Sequence, residues 1–406
     1  MEAAAGKLVA GSGGGGKSAG GEYWSEALKS FLDHIPVSSV PGALQPSSSP
    51  AVEVKLEGSV RDAIDAMYRS NAAGAVIVDD VRSSFGKFVD RDIGVVELSS
   101  LLLWALEELG KLDSNDDSSD FLSTLKQQPQ IADTKIAWLA KLFLWEPFFP
   151  VRSSDTLFHA MLLFSKHHRL NVVPVVESMN SSVIGFVTQS AVMELLLQSS
   201  GLEWLNKIAD KQLSEFRLTN ARKPVSLYSD QALADALHIL SKEKMGIVVI
   251  DRKTSCLIGS VECNDLYLLL DDSSLFKNRK TTTLEQFVKL KNKTDNGTAK
   301  NSSASACEGQ NILALRRIGH PGTGLPVTNS KSDTLKQAME KLAASSTSCS
   351  FIVNDQGHVE GVVTSRDIIS VFSPPCMDSR IDGGTFFTGA LEQAGCHVQN
   401  GQMIQK

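Results

Sequence analysis

The stretch FIVNDQGHVEGVVTSRDIISVF, residues 351–372, decides the fold of this chain. It has the pattern of a short β-branched strand, a polar turn with glycine, a second strand that ends in Gly-Val-Val, and a capped apolar helix. Three more stretches show the same order of strand, turn, strand and helix, at residues 76–106, 173–197 and 247–270. Recurrence of one pattern along a sequence indicates a repeat architecture. The chain is therefore predicted to contain four copies of one unit.

An amphipathic helix precedes each of these stretches and belongs to the same unit. Its four copies begin with a small polar or acidic cluster, at residues 57–67, 153–166, 228–242 and 331–345. In the third copy Leu233, Leu237 and Leu240 follow the i, i+4, i+7 spacing of one buried helix face. The unit is therefore β-α-β-β-α, and the chain is predicted to be an α/β protein.

The repeated unit, with its G-h-h-[ST]-x-x-D ending, resembles the CBS domain, the cystathionine-β-synthase domain. CBS units pair into Bateman modules whose cleft takes adenosyl nucleotides, so the resemblance implies two modules packed as a disc. The expected divisions are a Gly-rich tail at 1–23, a first module at 24–205, a second module at 206–378 with a flexible insertion near 291–311, and a C-terminal tail at 379–406. The polar, Gly-rich tails and insertion are expected to be poorly ordered.

Four such copies without a catalytic domain resemble the gamma regulatory subunits of AMP-activated and sucrose-non-fermenting-related protein kinases. The stretches that are similar to the plant branch lie at 31–41, 90–109, 142–151 and 200–205. The resemblance implies an energy-sensing, non-catalytic subunit that holds kinase alpha and beta subunits together, with AMP, ADP or ATP as a regulatory ligand and no required cofactor. The alternative is a free-standing CBS-domain sensor that binds an adenosyl ligand and modulates another enzyme.

The ligand motif is most complete in the fourth repeat. Thr364 is predicted at a helix N-terminus, where unpaired N–H groups favour an anion, and Asp367 can accept hydrogen bonds from ribose hydroxyls. The same two residues are typical of a capping box that satisfies the helix without any ligand. Arg366 lies between them and completes the candidate set of this repeat. The sequence leaves both interpretations open.

The second and third repeats keep only part of this motif. Repeat 3 has the carboxylate, Asp265, but carries Glu262 where the hydroxyl belongs. Repeat 2 has the hydroxyl, Thr188, and carries Ala191 in place of the carboxylate. Asp265 and Thr188 are therefore partial candidates, and the fourth repeat alone carries both groups.

The resemblance also implies a His-Arg pair before a strand of the repeat, as the source of cations for phosphates. Repeat 4 has Ser348 and Cys349 there, whereas repeat 2 has His168 and Arg169. These two basic residues could contact a phosphate or could simply offset the dipole at a helix C-terminus. We expect an adenosyl ligand to bind weakly and mainly beside repeat 4.

Composition argues against several other classes of protein. A net charge of −6 without a sustained Lys/Arg cluster disfavours binding to nucleic acid or to an anionic membrane. The six cysteines form no C-x-x-C pair, so we expect no metal site and reduced thiols in the cytoplasm or nucleus. The chain has no H-R-D, D-F-G or G-x-S-x-G motif, so it is not expected to be an enzyme.

One short stretch near the N-terminus matches a motif that is typical of nucleotide-hydrolysing proteins. GSGGGGKS, residues 11–18, fits the phosphate-loop pattern G-x-x-x-x-G-K-[ST] at every position. A working phosphate loop joins a buried strand to a helix, but KLVA at 7–10 is too short for that strand and two glycines follow at 20–21. The stretch is therefore predicted to be part of the flexible N-terminal tail.

Overall fold

A computed structural model describes most of the chain. The described residues are 25–44, 51–79, 92–112, 120–142, 144–167, 170–177, 182–216, 223–243, 245–298, 325–345, 347–373, 396–399 and 402–405. The predicted N-terminal tail, with its phosphate-loop match, lies outside the described residues, as do most of the predicted insertion and C-terminal tail. Within the described part, helices alternate with short strands, which confirms the α/β class.

The first half of the chain begins with a helix and contains two of the repeated units. Helix α1 (Glu26–His34) precedes repeat 1, which consists of β1 (Glu53–Lys55), α2 (Val60–Arg69), β2 (Gly74–Val78), β3 (Asp92–Glu97) and α3 (Leu98–Lys111). The connection contains α4 (Phe121–Lys126), α5 (Pro129–Ala132), α6 (Ile136–Leu139) and β4 (Trp145–Pro147). Repeat 2 consists of β5 (Val151–Arg152), α7 (Leu157–Lys166), β6 (Val172–Val176), β7 (Val183–Thr188) and α8 (Gln189–Gln198).

The second half follows the same order. Helix α9 (Glu203–Ala209) precedes repeat 3, which consists of β8 (Ser226–Tyr228), α10 (Leu233–Glu243), β9 (Ile247–Ile250), β10 (Leu257–Val261), a 3-10 turn (Cys263–Tyr267) and α11 (Leu268–Asp271). The connection contains α12 (Ser273–Lys277) and α13 (Leu284–Thr298). Repeat 4 consists of β11 (Thr328–Asn329), α14 (Leu335–Ser345), β12 (Cys349–Val353), β13 (Val359–Thr364) and α15 (Ser365–Phe372), and the hairpin β14 (Cys396–Gln399) and β15 (Gln402–Gln405) comes last.

Each repeat builds its own small sheet. The first strand runs parallel to the second, because a helix connects them, and the second runs antiparallel to the third across a short turn. Strand β4 extends the sheet of repeat 1 to the order β1-β2-β3-β4. In all four sheets a register shift falls beside the glycine of the third strand. This recurrence in the backbone pairing shows that the four units are built alike.

Each repeat packs against two others, on different faces. The helices of repeats 1 and 3 share one hydrophobic core, and those of repeats 2 and 4 share a second core together with α1. The sheets of repeats 1 and 2 pack through a small cluster that contains Val76 and Phe186. The sheets of repeats 3 and 4 pack through Val248 and Phe351. Sheet contacts therefore join neighbours in sequence, and helix contacts join the two halves.

The predicted buried face of α10 is observed. Leu233, Leu237 and Leu240 are all buried in the core shared by repeats 1 and 3. The sequence also predicts that Ile250 is buried, and this is wrong: Ile250 is only half-buried because it lies at the end of β9. The 3.6-residue period of the helix was thus a better guide to burial than the apolar run of the strand.

The glycine of the third strand allows another segment of the chain to approach closely. A side chain at Gly185 would collide with the backbone of Ala43, whose carbonyl accepts the Phe186 N–H at 2.8 Å. A side chain at Gly259 would collide with Val288 of α13. These contacts give the G-h-h motif a packing reason that the sequence alone did not provide.

Helix α13 enters the segment expected to be a flexible insertion. It is helical to Thr298, so residues 291–298 are regular structure. An ion pair between Glu285 and Lys289 supports its exposed side. In the described part of the chain, no helix is long and apolar enough to cross a membrane.

Candidate functional site

Strand β13 delivers Thr364 to the first turn of α15 in repeat 4. The Thr364 hydroxyl oxygen accepts the Asp367 N–H at 3.1 Å, and the Thr364 N–H donates to Asp367 Oδ2 at 2.9 Å. The hydroxyl also donates to Oδ2, at 2.7 Å. This is the capping box that the motif predicts. Oδ1 of Asp367 accepts no hydrogen bond from any residue that the structure describes, so it is the oxygen that a ligand hydroxyl could use.

Ser348, just before β12, and Cys349, its first residue, lie beside the first turn of α15. The Ser348 carbonyl accepts the Ser365 N–H at 2.8 Å, and Cys349 is paired with Thr364 across the sheet. Cys349 is buried, and burial raises the pKa of its thiol well above the usual range. These two residues therefore supply no positive charge to a phosphate at this helix.

Arg366 points to another repeat. Its Nη2 donates to the carbonyl oxygens of Phe164, at 3.3 Å, and His167, at 3.2 Å. Both carbonyls belong to the C-terminal end of α7 in repeat 2, where the helix dipole favours a cation. Arg366 thus joins repeats 2 and 4, a contact between residues 202 and 199 positions apart that no local pattern could predict.

In repeat 3 the candidate carboxylate, Asp265, already forms an ion pair with a lysine of the same chain. The Glu262 N–H donates to Asp265 Oδ2 at 2.8 Å, which forms a capping box like that of repeat 4. Lys291 Nζ of α13 lies 2.8 Å from Asp265 Oδ1 and 2.9 Å from Oδ2. The two side chains are only 16% and 10% exposed, so this pair is shielded from solvent. Asp265 is therefore already neutralised from within the chain.

Glu262 lies next to this ion pair and is itself buried. The Ser260 hydroxyl donates to its Oε1 at 3.2 Å. Burial raises the pKa of Glu262 to about 7; Lys291 opposes the shift and Asp265 adds to it. Two carboxyl groups and one ammonium group thus share this end of repeat 3, which is unfavourable for a phosphate.

Repeats 1 and 2 carry fewer of the groups that the ligand motif requires. Glu97 begins α3, and its Oε1 accepts a hydrogen bond from the Asn171 amide of repeat 2 at 2.9 Å. Thr188 caps α8 by accepting the Ala191 N–H at 3.2 Å, with no carboxylate beside it. His168 and Arg169 lie outside the described residues. The helix-capping position thus carries glutamate in repeats 1 and 3 and threonine in repeats 2 and 4.

No group of three or more His, Cys, Asp or Glu side chains that could hold a metal ion occurs in the described residues. The hydroxyl and carboxylate of the predicted motif come together in repeat 4 alone, at Thr364 and Asp367. This pair is the candidate ligand site that the geometry retains.

Two segments of the chain, residues 141–198 and 326–374, match the CBS domain family. The SNF1-related protein kinase regulatory subunit gamma-1 of Arabidopsis thaliana is 24% identical over 379 residues, covering 85% of this chain and 83% of the relative. A gamma-1-like subunit of Arabidopsis thaliana is 23% identical over 420 residues, covering 86% of this chain and 88% of the relative. The resemblance to CBS domains and to plant gamma subunits is thereby confirmed.

A protein from Methanocaldococcus jannaschii, described as an archaeal homologue of gamma-AMPK, has a TM-score of 0.49 and 13% identity, covering 81% of this chain and 98% of that chain. The CBS-pair protein CBSX2 in complex with AMP has a TM-score of 0.25 and 24% identity, covering 40% of this chain and 97% of that chain.

Proposed function

We propose that this chain, which carries CBS domains and is homologous to plant gamma regulatory subunits, is the non-catalytic gamma-type subunit of an SNF1-related kinase complex. In that role it holds a catalytic alpha subunit and a beta subunit together and regulates the kinase. The observation that carries the proposal is the alignment to gamma-1, which covers 85% of the chain and so reaches beyond any single pair of repeats.

The packing of the repeats supports a scaffolding role. Every repeat is held by one neighbour through its sheet and by another through its helices, so the two halves share their cores. The two halves are thus one packed unit on which two partner subunits could assemble. We expect the complex in the cytoplasm or nucleus, since Cys256, Cys263 and Cys349 are free thiols.

The regulatory ligand in this proposal is an adenine nucleotide beside repeat 4. Asp367 offers Oδ1 to a ribose hydroxyl while Oδ2 maintains the helix cap. Ser348 and Cys349 stand where the phosphates would need cations. The adenosine part is therefore expected to contribute most of the binding, and the number of phosphates little.

Calorimetric titration with adenosine, AMP and ATP is expected to show weak binding of all three, with similar affinities. Asp367→Ala should lower each affinity by about ten- to a hundred-fold, since a charge-assisted hydrogen bond is worth about 1.5–3 kcal/mol. Asp62→Ala, at the same position in the first turn of α2 but exposed to solvent, should leave the affinities unchanged. Tight AMP binding that Asp367→Ala does not affect would contradict the site.

The role in a kinase complex is tested by purifying the tagged chain from plant tissue under native conditions, followed by mass spectrometry. We expect stoichiometric kinase alpha and beta subunits. If the chain is recovered without either subunit and still binds adenosine, it is a free-standing CBS sensor. The complete motif of repeat 4, which needs no partner subunit, is the observation that favours this second function.

A further inference from the structure

A cavity of about 300 Å³ lies between α3 of repeat 1 and α10 of repeat 3, away from the repeat ends described above. Apolar side chains of both helices line it. Five ionisable side chains line it as well: Glu107, Lys111, His238, Arg279 and Lys280. Arg279 and Lys280 belong to the turn that follows α12. The cavity thus brings a cation of repeat 1 together with two cations of the connection that follows repeat 3.

The carboxylate of Glu107 is already engaged. Its Oε2 lies 2.9 Å from Nδ1 of His238, and Lys242 Nζ lies 2.8 Å from Nε2 of the same ring. Because the ammonium can only donate, Lys242 donates to Nε2, and Nδ1 donates to the Glu107 carboxylate. One carboxylate therefore faces three cationic side chains in the cavity.

The three cations differ in their partners. Lys111 pairs with Glu108 at 2.7 Å, a carboxylate that is not part of the lining. Arg279 and Lys280 have no carboxylate partner among the residues that the structure describes. Among the residues that the structure describes, the side chains that line the cavity therefore carry a net positive charge.

Arg279 is held in place without being neutralised. Its Nη1 donates to the Phe276 carbonyl at 2.8 Å, and its guanidinium carbon lies 4.3 Å from the centre of the Phe276 ring. The side chain is half-buried, and burial lowers the pKa of the guanidinium with no acid to oppose the shift. Its other N–H donors remain without an acceptor in the described structure. The group is fixed in orientation and is available to an anion.

A second arginine, in repeat 3, shows what Arg279 lacks. Arg252 stacks on the Tyr228 ring at 4.1 Å, much as Arg279 stacks on Phe276. Two nitrogens of Arg252 also donate to the two oxygens of Asp230, each at 2.9 Å. This exposed arginine has its bidentate acid, whereas the more buried Arg279 has none among the described residues. Because desolvating an unpaired charge is unfavourable, an external anion at Arg279 would be stabilising.

We infer that this cavity binds a phosphate group of an external ligand. The planar guanidinium of Arg279 matches two phosphate oxygens, and Lys280, which also lines the cavity, adds a second positive charge. The volume admits a phosphate with a small attached group, at the lower end of ligand cavities. The site does not depend on the proposed kinase role, and its ligand would contact repeats 1 and 3 together.

The inference is tested by calorimetric titration of the full chain with pyrophosphate at constant ionic strength. We expect saturable binding to the wild type and at least a ten-fold loss of affinity in Arg279→Met. Arg252→Met is the matched control and should bind like the wild type, because its guanidinium already has Asp230. Asp367→Ala should also bind normally, which separates this cavity from the site in repeat 4.

A second variant and a second probe complete the test. Lys280→Met, at an exposed position, should weaken pyrophosphate binding even if Arg279→Met fails to fold. A phosphoserine peptide titrated in parallel distinguishes a phosphorylated side chain from a small phosphate ester as the source of the group. Equal pyrophosphate affinities of the wild type, Arg279→Met and Lys280→Met, or binding of neither probe to the wild type, would overturn the inference.

Discussion

Replacing Leu240 with alanine is expected to lower the free energy of unfolding by about 2–5 kcal/mol. Leu240 is fully buried on α10, in the core that repeats 1 and 3 share. The truncation leaves a cavity between two repeats, each held by its own sheet, so the site has little freedom to collapse. Urea unfolding measures the loss.

Glu243→Ala is the control for this substitution. Glu243 lies on the exposed side of the same helix, so its replacement should change the stability by less than about 0.5 kcal/mol. Equal unfolding midpoints for Leu240→Ala and Glu243→Ala would mean that α10 does not contribute the face on which the shared core depends.

Glu262→Gln is expected to stabilise the chain at pH 8 and to have almost no effect at pH 4.5. The pKa of Glu262 is raised from 4.5 to about 7 in the folded chain, because the carboxyl group is buried. Below pH 4.5 the group is protonated in both states. As the pH rises to 7, the unfolded state releases the proton first, so the wild type loses about 3 kcal/mol of stability. Glutamine does not ionise and avoids that loss.

Denaturant unfolding of both proteins between pH 4.5 and 8 measures this difference. Glu360→Gln is the control, because a hydrogen bond from Lys331 lowers the pKa of the exposed Glu360 below its usual value. Glu360 is ionised in both the folded and the unfolded state over most of this range, so the stability difference between that variant and the wild type should stay nearly constant from about pH 5.5 to 8. Parallel stability curves for the wild type and Glu262→Gln would show that the Glu262 carboxyl ionises as in the unfolded chain.

Local patterns predicted the repeats well, because each unit has its own helix period, turn glycine and cap. Thr364 and Asp367 sit in the capping box that the spacing of three residues predicts. The buried face of α10 follows from the periodicity of Leu233 to Leu240 in the same way. In each case the interacting residues are close in sequence, so the pattern contains the contact.

The contacts that the sequence did not predict join segments that lie far apart along the chain. Lys291 reaches Asp265 across 26 residues, from a helix that begins outside the repeat, so the motif of repeat 3 gave no sign that its carboxylate was occupied. Arg366 contacts the end of α7 in another half of the chain. Arg252 pairs with Asp230, whereas Arg279 has no carboxylate partner among the described residues, and neither fact can be read from the local sequence.

The regulatory role is tested most directly by the rate at which fixed amounts of plant SNF1-related kinase alpha and beta subunits phosphorylate a substrate peptide, as this chain is added. We predict a saturable change in rate that reaches its limit at about one chain per alpha subunit, as a stoichiometric complex requires. A rate that stays constant at every concentration of the folded chain would contradict the proposed function.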